Sequence, residues 1–199
     1  MDYLIHIIQT AGYWGYGILF LIIFLESFPL TFFFPGDSLL FTTGFLASAG
    51  HFNIMLLILT LLTASFFGYI FSYVMGKKLR NFILRSNDRY WFKKRHLDYT
   101  EDFYKKYGNK TILFSRFIPV VRSFAPILAG AGEVPRNRFL IFSTIGALLW
   151  TCGITSLGFF LGSQFPETHL YLTPIILAII FVSLLPGIIE YIRSKRKTS

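Results

Sequence analysis

The longest stretch of this sequence without a charged side chain runs from Ser38 to Gly76, a segment of 39 residues. Two more charge-free stretches cover Phe139–Pro166 and Thr168–Ile189. An apolar run of roughly 18 residues or more is long enough to cross a bilayer as a helix. A soluble core built from these segments would need polar helices around it, yet only 15% of the 199 residues are charged. We therefore predict an all-α polytopic membrane protein.

Lysine and arginine are distributed very unevenly along the chain. None of the 19 lies before Lys77, eleven lie within residues 77–110, and four more lie within residues 193–197. Because cytoplasmic loops are enriched in these residues, the 77–110 segment and the C-terminal tail are predicted to be cytoplasmic. The net charge of +9 then reflects topology and attraction to anionic lipid headgroups. No basic face of a soluble module is visible, so we expect no nucleic-acid partner.

Two prolines interrupt the apolar sequence in each half. Pro29 and Pro35 break the first half, and Pro119 and Pro126 break the second, because proline cannot continue the hydrogen bonding of a helix. The apolar arms beside these breaks are too short to cross a bilayer at about 1.5 Å per residue. Each half is therefore predicted to contain a re-entrant hairpin followed by a complete span, in a layout like an inverted repeat.

The whole chain is predicted to be one membrane domain. Complete spans are expected at residues 53–76, 139–162 and 171–192, and an interfacial helix at residues 1–12. The successive parts are a first half with an acidic hairpin (1–76), a basic amphipathic cytoplasmic connector (77–110), a second half with an arginine hairpin and two spans (111–192), and a basic cytoplasmic tail (193–199). An ordinary solvated loop is the alternative for the connector.

Irregular backbone at membrane depth is tolerated only where it is buried in protein or lines a wet cavity. The two hairpins are therefore expected to face each other, with small residues permitting close backbone approach. The residues expected to shape the hairpins are Pro35, Gly36, Pro119, Pro126, Gly130 and Gly132.

Four charged residues lie inside these interrupted segments: Glu26, Asp37, Arg116 and Arg122. Each costs about 2.5–3.5 kcal/mol at a bilayer centre on insertion scales, so intramembrane charges indicate function by default. A buried carboxyl group favours its neutral form, and we therefore assign proton coupling to Glu26 and Asp37. The alternatives are a water-facing Glu26 at the membrane edge and an Asp37 that caps the following helix.

Arg116 and Arg122 are six residues apart, with Pro119 between them. An unbroken helix would point them to different faces, whereas a proline break lets both turn toward one point. Guanidinium groups stay charged and bind phosphate through paired donors, so this pair is predicted to bind a substrate phosphate. Snorkelling to the surface and structural pairing with the two acids are the alternatives.

The run Phe114–Gly132, which reads FSRFIPVVRSFAPILAGAG, resembles the signature of the DedA family within the SNARE-associated, or VTT-domain, membrane proteins. Pro35–Phe41 (PGDSLLF) and Gly146–Trp150 (GALLW) resemble two shorter motifs of that family. The sequence departs from the family pattern at Tyr69, where an acid is frequent, at Ser72, where glycine is frequent, and at Ser143, where asparagine is frequent. We assign no polar role to these three positions from the sequence.

The resemblance implies two facing re-entrant hairpins and a role in handling membrane lipids in the bacterial inner membrane. It also implies that the two acids and two arginines are the functional set. Our leading hypothesis is a proton-linked translocase, or flippase, for undecaprenyl phosphate or a similar phospholipid. A proton-coupled antiporter for small ions or solutes and a membrane-organising factor without transport are the alternatives. The expected partners are membrane lipids and protons.

Neither a cofactor site nor a catalytic site is expected. The four histidines are scattered without metal-ligand spacing, and no base lies near the serines of the broken segments. We therefore predict a protein that is not an enzyme and binds no metal or cofactor. The sequence leaves the oligomeric state open, including a homo-oligomer, and it leaves the side of the N-terminus open as well.

Overall fold

The computed structural model describes residues 13–28, 36–85 and 110–164, and all regular secondary structure within these ranges is helical. A five-residue π-helical segment, Leu148–Cys152, joins the last two helices into one rod. The helices are α1 (Tyr13–Glu26), α2 (Gly36–Ser48), α3 (Ile54–Arg85), α4 (Lys110–Ser115), α5 (Pro119–Ala131), α6 (Arg136–Ala147) and α7 (Gly153–Gln164).

Two stretches are long and apolar enough to cross a bilayer, Ile54–Arg80 within α3 and Arg136–Gln164, which comprises α6, the π segment and α7. They match the spans predicted at 53–76 and 139–162. The α3 helix continues to Arg85 and therefore includes residues 77–85 at the start of the predicted connector. No proline or glycine lies between Lys77 and Arg85, and lysine, leucine and arginine favour helix.

Several predictions concern residues outside the described ranges. These are the interfacial helix at 1–12, the breaks at Pro29 and Pro35, the rest of the connector (86–109), the third span at 171–192 and the tail at 193–199.

Two of the short helices, α2 and α5, pack along the long apolar stretch of the other half. One such pair is α2 against α7, where Gly44 and Gly158 let the two backbones touch. A Cβ at Gly44 would overlap the carbonyl oxygen of Thr155, and a Cβ at Gly158 would overlap that of Phe41. Each glycine therefore faces a backbone carbonyl of the other helix, and that carbonyl belongs to the residue three positions before the other helix's glycine.

The same arrangement occurs where α5 packs along α3. A Cβ at Gly130 would overlap the carbonyl oxygen of Tyr73, and a Cβ at Gly76 would overlap that of Ile127. The two crossings thus share one pattern of glycine-to-carbonyl contacts.

The helix pairs α1–α2 and α4–α5 open toward opposite ends of α3. At one end, the backbone N–H of Asn53 donates to the hydroxyl of Tyr16 in α1 (2.9 Å). At the other end, Nη1 of Arg80 donates to the carbonyl of Ala131, the last residue of α5 (2.9 Å). The interrupted ends meet between them, where the Ser123 hydroxyl donates to the backbone carbonyl of Glu26 (3.1 Å).

One of the residues expected to shape the second hairpin behaves differently from the prediction. Pro126 lies inside a continuous α5 and does not break it, because the helix forgoes only one backbone hydrogen bond there. Gly132 caps α5 with an ordinary φ of −83°, and the left-handed residue is Glu133, at φ 53°. The break itself lies at Arg116–Ile118, and α5 begins at Pro119, a position that suits proline's fixed φ.

Candidate functional site

A buried polar cluster lies where the two interrupted segments meet, close to the middle of both long apolar stretches. Trp150 is the midpoint of Arg136–Gln164, and Ser65 and Tyr69 lie two residues to either side of the midpoint of Ile54–Arg80. At 1.5 Å per residue, Trp150 is about 21 Å from either end of its stretch. The cluster therefore lies near the middle of both apolar stretches.

Arg122 lies at the centre of the cluster and binds both predicted acids. Its Nη1 donates to Oδ1 of Asp37 at 2.7 Å, and its Nη2 donates to Oε1 of Glu26. The indole Nε1 of Trp150 donates to the same Asp37 oxygen (2.8 Å), and its ring lies 4.4 Å from the guanidinium carbon of Arg122. Arg122 and Glu26 are almost fully buried, and 18% of the Asp37 side chain is exposed.

The helix ends bring these groups together. Glu26 is the last residue of α1, and Asp37 is the second residue of α2. Gly36 makes their approach feasible, because a Cβ at that position would overlap the carboxylate of Glu26. Asp37 lies inside the helix instead of preceding it, and its carboxylate pairs with Arg122 and Trp150, so the N-cap role considered from the sequence is not the geometry that forms.

Arg116 is 1% exposed and has an entirely different set of partners. Its Nη1 donates to the hydroxyl of Ser65 at 2.6 Å, and its Nη2 donates to the hydroxyl of Ser143 at 3.2 Å. The guanidinium carbon lies 3.6 Å from the centre of the Tyr69 ring, in cation–π geometry. Within the described residues no carboxylate lies within ion-pair distance of Arg116.

Tyr69 contacts both arginines, and Pro126 explains how. Proline has no backbone N–H, so it cannot donate to the carbonyl four residues earlier, which belongs to Arg122. The phenol of Tyr69 donates to that carbonyl instead, at 3.0 Å. The ring of the same tyrosine stacks under Arg116, so one side chain supports the cation of one arginine and the backbone of the other.

A small cavity of about 10 Å³ lies between the two arginines, with room for roughly one water. Three atoms of the residues that line it are buried and lack a hydrogen-bond partner among the described residues, namely Nε of Arg116, Nε of Arg122 and Oε2 of Glu26. The site thus offers two unused donors and one unused acceptor. The residues around the cavity are Ile23, Glu26, Ser27, Ser65, Tyr69, Arg116, Arg122 and Trp150.

Sequence reasoning identified the four charges but only part of their arrangement. The structure joins Glu26, Asp37 and Arg122 directly and places Arg116 across the cavity on neutral partners. It also gives polar contacts to the three departures from the family pattern. Tyr69 and Ser143 contact the arginines, and the Ser72 hydroxyl donates to the backbone carbonyl of Ser27 at 2.7 Å.

Ser65 and Trp150 are site residues that the sequence analysis does not predict. The available signals were a serine inside a long apolar run and a tryptophan at the middle of a span, where indoles are less usual than at the interfaces. As for metals, His, Cys, Asp and Glu side chains form no group of three within the described ranges that would hold an ion.

The amino-acid sequence is similar to those of several known membrane proteins. The sequence profile of the VTT domain matches residues 34–160, more than half of the chain. The chain is 39% identical to protein DedA of Escherichia coli strain K12, over 98% of this chain and 94% of that protein. It is 34% identical to the inner membrane protein YqjA of the same strain, over 74% of this chain and 67% of that protein.

A further relative is named for a substrate. The chain is 29% identical to undecaprenyl phosphate transporter A of Staphylococcus aureus, over 96% of this chain and 97% of that protein. No solved structure gives a significant match.

Proposed function

This chain belongs to the DedA family of VTT-domain membrane proteins, and from that premise we propose that it is a proton-linked translocase for undecaprenyl phosphate or a similar phospholipid in a bacterial membrane. The resemblance predicted from the arginine motif is thereby confirmed at the level of the family. The observation that carries the proposal is a pair of buried arginines at the midpoint of two apolar helices, one of them held by two carboxylates.

The first element of the proposal is topological. We take α1–α2 and α4–α5 as re-entrant hairpins that enter the bilayer from opposite sides and meet at Arg122 and Glu26. In support, the two pairs open toward opposite ends of α3, and their interrupted ends contact each other. Discontinuous helices that meet near the midplane are the usual way in which transporters build a central site.

The second element is the chemistry of the substrate. An ideal transfer of one phosphate charge into hydrocarbon costs of order 20 kcal/mol, so a lipid phosphate needs matching positive charge at mid-depth. Arg116 and Arg122 supply two guanidinium groups beside one cavity. Guanidinium donors match the spacing of phosphate oxygens and form short, charge-assisted hydrogen bonds.

The third element is the link to protons. With all groups ionised, Glu26, Asp37, Arg116 and Arg122 carry no net charge. A phosphate monoanion would make the buried cluster negative, and the uptake of one proton by an acid would restore neutrality. A neutral carboxyl attracts Arg122 far less than a carboxylate does, so protonation also frees this arginine for the phosphate.

The described conformation is closed around Arg122. A cavity of about 10 Å³ has room for roughly one water, and a phosphate group with four oxygens is larger than that. Entry of a headgroup therefore requires Arg122 to part from at least one carboxylate. Full insertion of the headgroup between the two arginines is therefore coupled to the opening of this ion pair.

The proposal is tested in proteoliposomes that contain a fluorescent polyprenyl phosphate, whose outer-leaflet fraction is bleached by dithionite. The wild-type protein should make the inner-leaflet fraction accessible, and Arg116→Ala or Arg122→Ala should reduce flipping to the rate of protein-free vesicles. Arg138→Ala is the matched control, because Arg138 is exposed at the start of α6. Unchanged flipping by the Arg116 variant would overturn the arginine role.

The same vesicles separate the two alternatives. A small-ion or solute antiporter would move its ion through vesicles without polyprenyl lipid. A membrane-organising factor would move neither, and it would keep its cellular function when Glu26 and Arg122 exchange identities, provided that the variant folds.

A further inference from the structure

We propose, on the basis of the function above, that the two arginines have different tasks. Arg116 is the group that binds the anion in the described conformation. Arg122, with its ion pairs to Glu26 and Asp37, is a latch that must open before it can bind the anion, and Tyr69 is the positioning residue that connects the two arginines. This assignment deepens the proposed function, because it orders the steps by which a phosphate headgroup enters the site.

The first step of the argument is the charge balance around Arg116. Its two terminal nitrogens donate to serine hydroxyls, and a tyrosine ring covers its face. These partners satisfy hydrogen bonds without cancelling the charge. A buried cation without a counter-charge is costly, and proteins usually pair such a charge or use it for a ligand. Among the described residues Arg116 therefore keeps a positive charge available for an anion.

Arg122 is in the opposite situation. Two carboxylates accept from it, and the indole of Trp150 lies against its guanidinium. An arriving anion must displace at least one carboxylate before it can bind Arg122 in the same manner. The headgroup should therefore contact Arg116 first and reach Arg122 only after the latch has opened.

The cavity provides the place where the two steps meet. Both arginines line it, and the Nε atom of each is buried without a partner among the described residues. The unpartnered Oε2 of Glu26 belongs to the same lining. A phosphate oxygen that enters at Arg116 would thus come to lie beside the Arg122–Glu26 pair, where its negative charge competes with the carboxylate.

Tyr69 gives the two arginines a mechanical connection. Its ring lies 3.6 Å from the Arg116 guanidinium carbon, and its hydroxyl donates to the Arg122 carbonyl that Pro126 leaves free. A displacement of Arg116 toward an anion would shift the ring and, through the phenol, the first turns of α5. The two contacts can be removed separately, since phenylalanine keeps the ring and loses the hydroxyl.

A single-tryptophan protein can report on the latch. The chain has three tryptophans, and the Trp14→Phe and Trp91→Phe substitutions leave only Trp150, whose indole bonds Asp37 and covers Arg122. Farnesyl phosphate in detergent is the probe, and farnesol is the neutral control. Binding is measured with radiolabelled probe, and opening of the latch is measured as the change in Trp150 emission.

We expect Arg116→Gln to weaken binding by at least about tenfold, as for the loss of charge-assisted hydrogen bonds, and Arg116→Lys to retain part of it. Tyr69→Phe should bind within about twofold of wild type because the cation–π contact remains, but its Trp150 emission change should be largely lost.

The possible failures are distinguishable. If Arg116→Gln binds normally and Arg122→Gln does not, the tasks are reversed and this inference is overturned, while the proposed lipid transport stands. If Tyr69→Phe retains the full emission change, Tyr69 is not the connection. If neither arginine affects binding of the probe, the proposed phosphate site itself fails.

Discussion

The Gly44→Ala substitution tests whether the close packing of α2 against α7 holds Asp37 in position. A Cβ at this position would overlap the carbonyl oxygen of Thr155, and ordinary contacts begin near 3.4 Å, so α2 and α7 must separate by about 1 Å. Overpacking of this kind costs about 1–3 kcal/mol, and alanine's better helix propensity returns about 0.5–1 kcal/mol. The net destabilisation should be about 1–2 kcal/mol, which lowers Tm by roughly 2–8 °C.

The same displacement should reach the site. Asp37 lies seven residues before Gly44 on α2, and its 2.8 Å contact with Trp150 ties it to the rod that contains α7. A shift of about 1 Å breaks a hydrogen bond of that length. We therefore expect flipping by folded Gly44→Ala protein to fall by at least about tenfold, as misplacements of this size do in other sites.

Gly153→Ala is the matched control, because it lies on α7 and a Cβ there meets nothing within 4 Å. Its stability in a detergent melting assay should be unchanged or higher, and its flipping rate should equal that of wild type. If Gly44→Ala and Gly153→Ala melt at the same temperature, the close crossing of α2 and α7 is not what holds the acids in place, and the reasoning is refuted.

Three further substitutions test the site and its frame. Glu26→Gln keeps the shape of the side chain but cannot take up a proton, so the flipping rate should lose its dependence on pH in vesicles with imposed pH gradients; a retained dependence would point to the second acid. Trp150→Phe removes the hydrogen-bond donor to Asp37 and keeps an aromatic ring on the guanidinium of Arg122, so it should slow flipping several-fold, and Trp150→Leu should slow it further. Equal flipping rates for Trp150→Phe and wild type would show that the indole N–H is dispensable. Arg80→Ala removes the cap of α5 and should lower stability by about 1 kcal/mol in the melting assay without changing flipping per folded molecule; a loss of flipping would implicate this end of α5 in transport.

The local rules of the chain predicted the helical architecture well. Two of the three charge-free runs overlap the two long apolar stretches, because length and composition suffice to identify a helix that is long enough to cross a membrane. The break before Pro119 followed from the conformational limits that proline places on the residue before it. Pro126 was the exception, since an internal proline can be accommodated when a tertiary donor satisfies the freed carbonyl.

The pairing within the site was not predictable in the same way. Arg116 and Arg122 have the same residue type and the same motif, yet one pairs with two acids and the other with two serines. That difference depends on which helix faces each guanidinium, and the contacts join residues separated by 27 to 96 positions. Local sequence carries no information on such distant neighbours.

The three departures from the family pattern show the same limit. The sequence predicts no polar role for Tyr69, Ser72 and Ser143, because they do not match the usual residues, yet each makes a buried polar contact. Tyr69 donates to the carbonyl of Arg122 that Pro126 leaves free, Ser72 donates to the carbonyl of Ser27 just after α1, and Ser143 accepts from the guanidinium of Arg116. A residue that departs from a pattern can therefore serve the same site through a different kind of contact.

The midpoint position of the cluster also has an electrical consequence. An elementary charge that crosses the whole membrane gains or loses about 2.3 kcal/mol per 100 mV, so a charge that travels only to mid-depth experiences about half of that. A phosphate monoanion that arrives together with one proton adds no net charge to the cluster and so feels no voltage on its way in. Such a carrier would respond to a pH gradient and remain nearly indifferent to membrane potential, whereas an anion that travels alone would be driven outward by the negative interior of the cell.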